Sequence, residues 1–376
     1  MTKGTTMIDS GKERDKLHYM VSEDDGFDTD CVFVLSPREP GKTTSIILDK
    51  VYGSYKKYGL PSVVLVNHAA DVTEAYFASF EETVNTFKGY EIHTKYPTSA
   101  SQGGVTIIKD KETNEPWIYV VSMNTPKTRL KRLNLGKVAL MWYDECNVDV
   151  NIGEKWPDNL SSKWNELYTT LARNSYPKKL KFYATGNFYT RYNPLMVYLG
   201  VDCAKLTIGK KSVFKKDFVV GGEKITIKTL VDCYQLKPEL REYILKHNPG
   251  YSFDDTYRRY FEGEAIGDIG LPIVEKQPEG YQIKYIFKLE SRYLYIWRSN
   301  CENSFLAKYW LESTNRVPGS HRDVFVISIE QLVSNSILSS SFKRLFEALK
   351  FAISTSAIAY NSPESFYAMQ QLWQCI

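Results

Sequence analysis

The sequence predicts an α/β protein built on a mainly parallel sheet, with a smaller α+β domain behind it. Three observations carry this expectation. Short continuous apolar runs at 31–35, 62–67, 137–145 and 179–187 read as strands buried on both faces. Helix-forming stretches at 42–58, 71–90 and 161–174 separate them, giving the alternation of a sheet wrapped by helices. From about residue 272 the texture shifts to strand-like runs at 281–290, 292–299 and 323–330, then a long helix at 341–360 and a last helix to 376.

Taken in order, residues 1–30 are polar and turn acidic at Glu23, Asp24 and Asp25, as in an arm or a short first helix. CVFVL (31–35) leads through a loop with two prolines into the helix at 42–58, which Gly59 is placed to cap. Residues 103–122 read as a hairpin turning at Thr113-Asn114-Glu115-Pro116. Between 205 and 230, seven lysines face only Asp217 and Glu223, a local charge of +5. Two short helices follow near 237–247 and 254–262. The expected division is three domains, 1–203, 204–271 and 272–376, without internal repeats.

Composition sets bounds. A chain of 376 residues exceeds one ordinary core. Its 43% hydrophobic and 24% charged residues are ordinary for a globular protein, and 27 Tyr supply large packing groups. The net charge of +4 is too mild to indicate nucleic acid, so any basic patch must be local. Cysteines at 31, 146, 203, 233, 301 and 375 form no C-x-x-C pair, which argues against zinc and a disulfide framework and for free thiols in a reducing cytosol. No apolar run reaches membrane-spanning length, and the N-terminus lacks the apolar core of a signal peptide. A host-cytoplasmic protein is expected.

The central motif is SPREPGKTT, comprising Ser36, Pro37, Arg38, Glu39, Pro40, Gly41, Lys42, Thr43 and Thr44. A strand, a loop ending in Gly-Lys-Thr and a helix form a phosphate cradle, because backbone N–H groups and the helix N-terminus converge on the anion. Lys42 is expected at the β- and γ-phosphates of ATP, and the Thr43 hydroxyl on Mg²⁺. Ser36 stands where such loops begin with glycine, and Pro37 and Pro40 donate no N–H.

A second motif supports the first. VALMWYDE (138–145) is an apolar run ending in Asp144-Glu145, the form of a Walker B strand. Asp144 is expected to bind Mg²⁺ through water and Glu145 to orient and deprotonate the attacking water. A glutamate directly after the aspartate favours an ATP-hydrolysing motor over a kinase, which needs no water activator. The two motifs, about one hundred residues apart, are assigned to adjacent strands.

Other residues have two readings each. Asn187, ending KFYATGN, is either a γ-phosphate sensor or a residue of a strand-ending turn. Arg173 is either an arginine finger for a neighbouring subunit's ATP or a cation on the helix dipole. Lys127, Arg129, Lys131, Arg132 and Lys137 either contact DNA phosphates or act in trans on ATP, or form a solvated loop. Arg38 either steadies the γ-phosphate or pairs with an acid.

With Arg38 in SPREPGKT, Lys57-Tyr58-Gly59, Asp144-Glu145, Arg173-Asn174, Asn187 and Asn193-Pro194, the chain resembles the genome-packaging ATPases of phi-29-type small tailed phages, P-loop proteins of the additional-strand class with a catalytic glutamate. The resemblance is clear over 31–194 and weaker over 255–376. It implies a P-loop ATPase domain, a small linker domain and a C-terminal RNase H-like domain that has lost its catalytic acids. It implies a pentameric ring on the capsid portal that pumps double-stranded DNA, joined in some members by a structural packaging RNA. It assigns the arginine finger to Arg173 and a trans-acting lysine near Lys131. Ser36, and Asn67-His68 where the family has a basic pair, depart from the pattern.

A nuclease needs several carboxylates converging on metal. The C-terminal part offers Glu290, Asp323 and Glu330 at strand ends without a paired aspartate, so no nuclease activity is expected. The resulting expectation is ATP-driven translocation of double-stranded viral DNA into a preformed capsid, with ATP and Mg²⁺ as ligands. The competing readings are another ring-forming translocase or helicase, and a terminase with an active nuclease domain.

Overall fold

The computed structural model of the chain describes residues 18–37, 41–88, 94–95, 105–148, 154, 156–174, 179–191, 193–220, 222–248, 250, 274–289, 292–300, 308–315, 318, 326–328, 336–354, 357–362, 365–366, 368–369 and 372. The chain divides into two compact units, 1–267 and 268–376.

Among the described residues the first unit holds a nine-stranded sheet in the order β3-β4-β5-β2-β6-β7-β1-β9-β8. Its strands are β1 (Cys31–Ser36), β2 (Ser62–Val66), β3 (Thr94–Lys95), β4 (Val105–Asp110), β5 (Pro116–Ser122), β6 (Leu140–Tyr143), β7 (Lys181–Asn187), β8 (Lys210–Val220) and β9 (Glu223–Cys233). The run from β5 to β9 is parallel throughout, and β3, β4 and β8 extend it antiparallel at the edges. The predicted hairpin is β4–β5, and Asn114 takes the positive φ of its turn.

Burial on both faces follows from the two-residue period of a strand. Val32 and Val34 of β1 point into one core with Ile46, Leu48, Phe80 and Trp142. Phe33 and Leu35 point into the other with Trp164, Leu167 and Phe182. Helix α1 runs without interruption through Lys42–Ser45, Ile46–Tyr52 and Gly53–Tyr58, with π geometry in its middle segment. Gly59 closes it, its N–H reaching Tyr55 O at 2.8 Å. Helix α2 (Glu74–Lys88) shares the first core, and α4 (Leu160–Ala172) the second. Between them in sequence lies the single turn α3 (Lys127–Leu130); α5 (Pro194–Tyr198) and α6 (Pro238–His247) follow.

Two features differ from the sequence reading. The phosphate-loop strand β1 and the acidic strand β6 are not adjacent, because β7 pairs with both. The lysine-rich span set apart as a linker forms the hairpin β8–β9, and residues 229–233 of β9 pair in parallel with β1. Alternation explains this: Val231 and Cys233 enter the same core as Phe33, with Phe214 and Ile227 packed against it, while Lys211, Lys215 and Val219 are exposed.

The second unit is a five-stranded sheet among the described residues, in the order β13-β10-β11-β12-β14. Strands β10 (Tyr281–Lys288), β11 (Tyr293–Ser299) and β12 (Tyr309–Thr314) form an antiparallel meander. Parallel to its edges lie β13 (Val326–Ser328) and β14 (Ile358–Tyr360). Helix α7 (Ser336–Ser354) covers it through Phe346, Leu349 and Ala352. The helix expected to reach 360 stops at Ser354. Ser and Thr weaken the helix there, and Ile358 and Tyr360 are instead buried in the sheet as β14. The expected helix at 254–262 and most of the last helix lie outside the described residues. No described helix is long and apolar enough to cross a membrane.

Candidate active site

The carboxyl ends of β1, β7 and β6 lie side by side, with Ser36 opposite Asn187 and Tyr143 opposite Ala184 in register. Ligands of open α/β sheets bind at such ends. β1 finishes in buried Ser36, whose hydroxyl donates to Pro37 O at 2.8 Å. Gly41 caps α1 with φ +84°, and a Cβ there would meet the His18 ring at 3.3 Å. The left-handed backbone therefore calls for glycine. Lys42, Thr43 and Thr44 form the first turn of α1; Arg38, Glu39 and Pro40 lie outside the described residues.

Because β7 is interposed, Asn187 becomes the bridge between the two motifs. Lys42 Nζ donates to Asn187 Oδ1 at 2.8 Å, and Asn187 Nδ2 donates to Glu145 Oε2 at 3.2 Å. The same amide nitrogen donates to the Tyr189 hydroxyl at 3.0 Å. Lys42 also approaches Pro37 O at 3.5 Å. Lys42 and Asn187 are buried, whereas Glu145 is exposed, as a group that must meet water requires.

Glu145 has φ +48°, a conformation that disfavours a side chain by about 1–3 kcal/mol and persists only when its surroundings impose it. They do so here. Asn67 Nδ2 donates to Glu145 O at 2.8 Å, and Cys146 N–H donates to Thr185 O at 2.8 Å. Asn193 Nδ2 and Trp156 Nε1 both donate to Cys146 O, at 2.9 and 3.1 Å. Asn147 Nδ2 donates to Asn187 O and Thr190 O, at 3.1 and 2.9 Å. A Cβ at Gly186 would stand 2.9 Å from Asn147 N, so glycine admits this close approach. Asn193, singled out beside Pro194, thus braces the loop of Glu145 while capping α5 through Leu195 N and Met196 N.

Asp144 is buried at the head of β6. Its Oδ1 accepts from Thr185 Oγ1 at 3.1 Å and Thr43 Oγ1 at 3.5 Å, and its Oδ2 accepts from Tyr76 at 3.2 Å. Burial first, then the Glu145 carboxylate, pushes Asp144 up to about 7, while the hydroxyls of Thr185 and Tyr76 and the charge of Lys42 pull the other way. Hard oxygen donors beside a carboxylate whose charge is under such pressure fit a divalent cation, which would relieve it. Thr43 and Asp144 are the residues able to hold Mg²⁺.

The remaining candidates stand elsewhere. A helix joining parallel strands runs back along them, and the Tyr168 hydroxyl on Leu180 O, at 2.9 Å, ties the end of α4 to the start of β7. Arg173, exposed just beyond α4, therefore stands about one strand length, roughly 20 Å, from the carboxyl ends of its own sheet. The opposite end of α4 carries α3: Lys127 Nζ donates to Ser162 Oγ at 2.8 Å and pairs with Glu166 at 3.7 Å. Arg129, Lys131, Arg132 and Lys137 are exposed. Lys127 is thus engaged in mounting α3, and the free charge of the segment resides in the others.

The sequence reading missed Tyr76, Asn67, Thr185 and Tyr189 as site residues. Cys31, Cys146, Cys203 and Cys233 are buried and outside any disulfide, and burial pushes Cys31, Cys146 and Cys233 up, out of the range of reactive thiols. Among the described residues no group of three His, Cys, Asp or Glu side chains is placed to hold a metal; Glu290, Asp323 and Glu330 lie outside them.

A strand, phosphate loop and helix, with an acidic pair two strands away, define the P-loop NTPase fold in its additional-strand form. The Phi-28 gp11 DNA packaging motor matches with a TM-score of 0.56 at 14% identity, over 95% of this chain and 97% of that one. The bacteriophage Phi-29 viral genome packaging motor assembly matches at 0.49 and 12% identity, over 96% and 99%. The N-terminal domain of the DNA packaging ATPase from bacteriophage phi29 matches at 0.37 and 15% identity, over 57% and 94%. The first of these likenesses carries the fold over nearly the whole chain. The sequence matches no protein-family model and no curated protein.

Proposed function

We propose that the protein is an ATPase that drives double-stranded viral DNA into a preformed capsid, as one subunit of a ring. The observation that carries this reading is the bonded chain Lys42–Asn187–Glu145 at the head of the sheet, beside Thr43 and Asp144. The fold shared with a DNA packaging motor directs the reading from nucleotide hydrolysis toward translocation.

Lys42 and the N-terminus of α1 hold the ATP phosphates. Thr43 and Asp144 would hold Mg²⁺, which would supply neutralisation of the charge on the phosphates. Glu145 orients the attacking water and takes its proton, while Asn187 fixes Glu145 relative to Lys42. Arg173, exposed and about one strand length from its own site, serves the ATP of the next subunit. Arg129, Lys131 and Arg132, with lysines of 205–216, grip DNA phosphates without reading sequence. On this reading 1–203 powers the motor together with the hairpin β8–β9, which completes its sheet, and 272–376 is a vestigial RNase H-like domain that braces or docks. The ring is a pentamer on the portal, transiently attached from the host cytoplasm, with a packaging RNA as an additional partner.

The test is hydrolysis of ATP by the full chain with Mg²⁺, with and without duplex DNA, for wild type and Lys42→Ala. Hydrolysis that DNA stimulates and Lys42→Ala abolishes is expected. Activity that survives Lys42→Ala removes the reading.

A further inference from the structure

The connection from β2 to α2 touches both acids of the site. Asn67, at its start, holds the Glu145 carbonyl, and Tyr76, in the first turn of α2, reaches Asp144. Tyr76 is fixed in turn: Thr73 Oγ1 accepts its N–H at 3.2 Å, and its ring meets Phe80 edge-on at 5.2 Å. Phe80 lies against Trp142, centroids 5.8 Å apart. Trp142 Nε1 donates to Thr185 Oγ1 at 2.9 Å, and that hydroxyl donates to Asp144 Oδ1. Five side chains from α2, β6 and β7 close a ring in which each oxygen of Asp144 meets its own donor.

Two donors on opposite oxygens fix the carboxylate's rotation, which one donor leaves free. Oδ1, so oriented, also accepts from Thr43 Oγ1 at 3.5 Å. A metal-binding carboxylate gains affinity from partners that hold it in this way. Resting on the ATPase reading above, we infer that Tyr76 is a positioning residue whose hydroxyl orients Asp144 for the divalent cation of the nucleotide. The ring of Tyr76 belongs to the core; the hydroxyl is the part that acts on the site.

Tyr76→Phe separates these roles, because it keeps the contact with Phe80 and removes only the O–H. The full chain is loaded with adenylyl imidodiphosphate and titrated with Mn²⁺, bound metal being read by electron paramagnetic resonance. Nucleotide affinity in EDTA and the melting temperature are measured alongside. The expected result is Mn²⁺ affinity lowered about tenfold to hundredfold in Tyr76→Phe, with metal-free nucleotide affinity and melting unchanged. Wild-type Mn²⁺ affinity in Tyr76→Phe overturns this inference alone. A wild-type chain that binds neither nucleotide nor Mn²⁺ overturns the ATPase reading as well.

Discussion

The two sides of the crossover β6–α4–β7 carry groups of opposite character. At the carboxyl ends of β6 and β7, Asp144 and Asn187 are buried and bonded to other side chains of the same chain. At the far end of α4, Arg173 is exposed. On the proposed reading the difference separates chemistry that a single chain pre-organises from coupling that needs a second molecule. Glu145 is held at its positive φ through Asn67, Thr185 and Asn193, whereas on the proposed reading Arg173 acts on a neighbour's phosphate.

Substitutions on the two sides should therefore behave differently. The largest effect is expected at Glu145→Gln, with turnover falling about 10²–10⁴-fold while ATP still binds, as measured by single-turnover hydrolysis and nucleotide titration. Retained turnover would place the water-activating base elsewhere. Arg173→Ala is expected to lose about 10³-fold, again with binding intact, and unlike Glu145→Gln it should be correctable by another chain. Asn187→Ala removes the bridge between Lys42 and Glu145 and should lower turnover about 100-fold; an unchanged rate would reduce Asn187 to a strand-ending turn. Gly41→Ala, forced to φ +84°, should destabilise the fold by about 1–3 kcal/mol. Calorimetry would register this as a fall of about 2–4 °C in Tm for each kcal/mol. The smallest effect is expected at Arg129, Lys131 and Arg132, where each alanine should flatten the salt dependence of DNA binding by about one unit of slope. Lys127→Ala should instead loosen α3 from α4, because its charge is engaged with Glu166.

Much of this was legible in the sequence for local reasons. Gly41-Lys42-Thr43 between a strand and a helix, and Asp144-Glu145 after an apolar run, are contiguous signatures. So is the β4–β5 hairpin with its turn at Asn114. What was hidden depends on strand order and long-range partners. That β7 lies between β1 and β6, and so makes Asn187 a bridge, is a property of the whole sheet. Tyr76 stands 68 residues from Asp144, and its role needs α2 packed through Phe80 on Trp142. The hairpin β8–β9 was masked by its lysines, although Ser212, Phe214, Lys216 and Phe218 keep the period of a strand.

The central claim is that one chain completes the site of another, and the rate of ATP hydrolysis per subunit against protein concentration tests it most directly. The series is run for wild type, for Arg173→Ala, and for Arg173→Ala mixed with Glu145→Gln. The account predicts a rate that rises with concentration in wild type, is lost in Arg173→Ala, and returns in the mixture, where Glu145→Gln chains supply the missing arginine. A rate independent of concentration and unaffected by Arg173→Ala would contradict it and leave a self-sufficient monomeric ATPase.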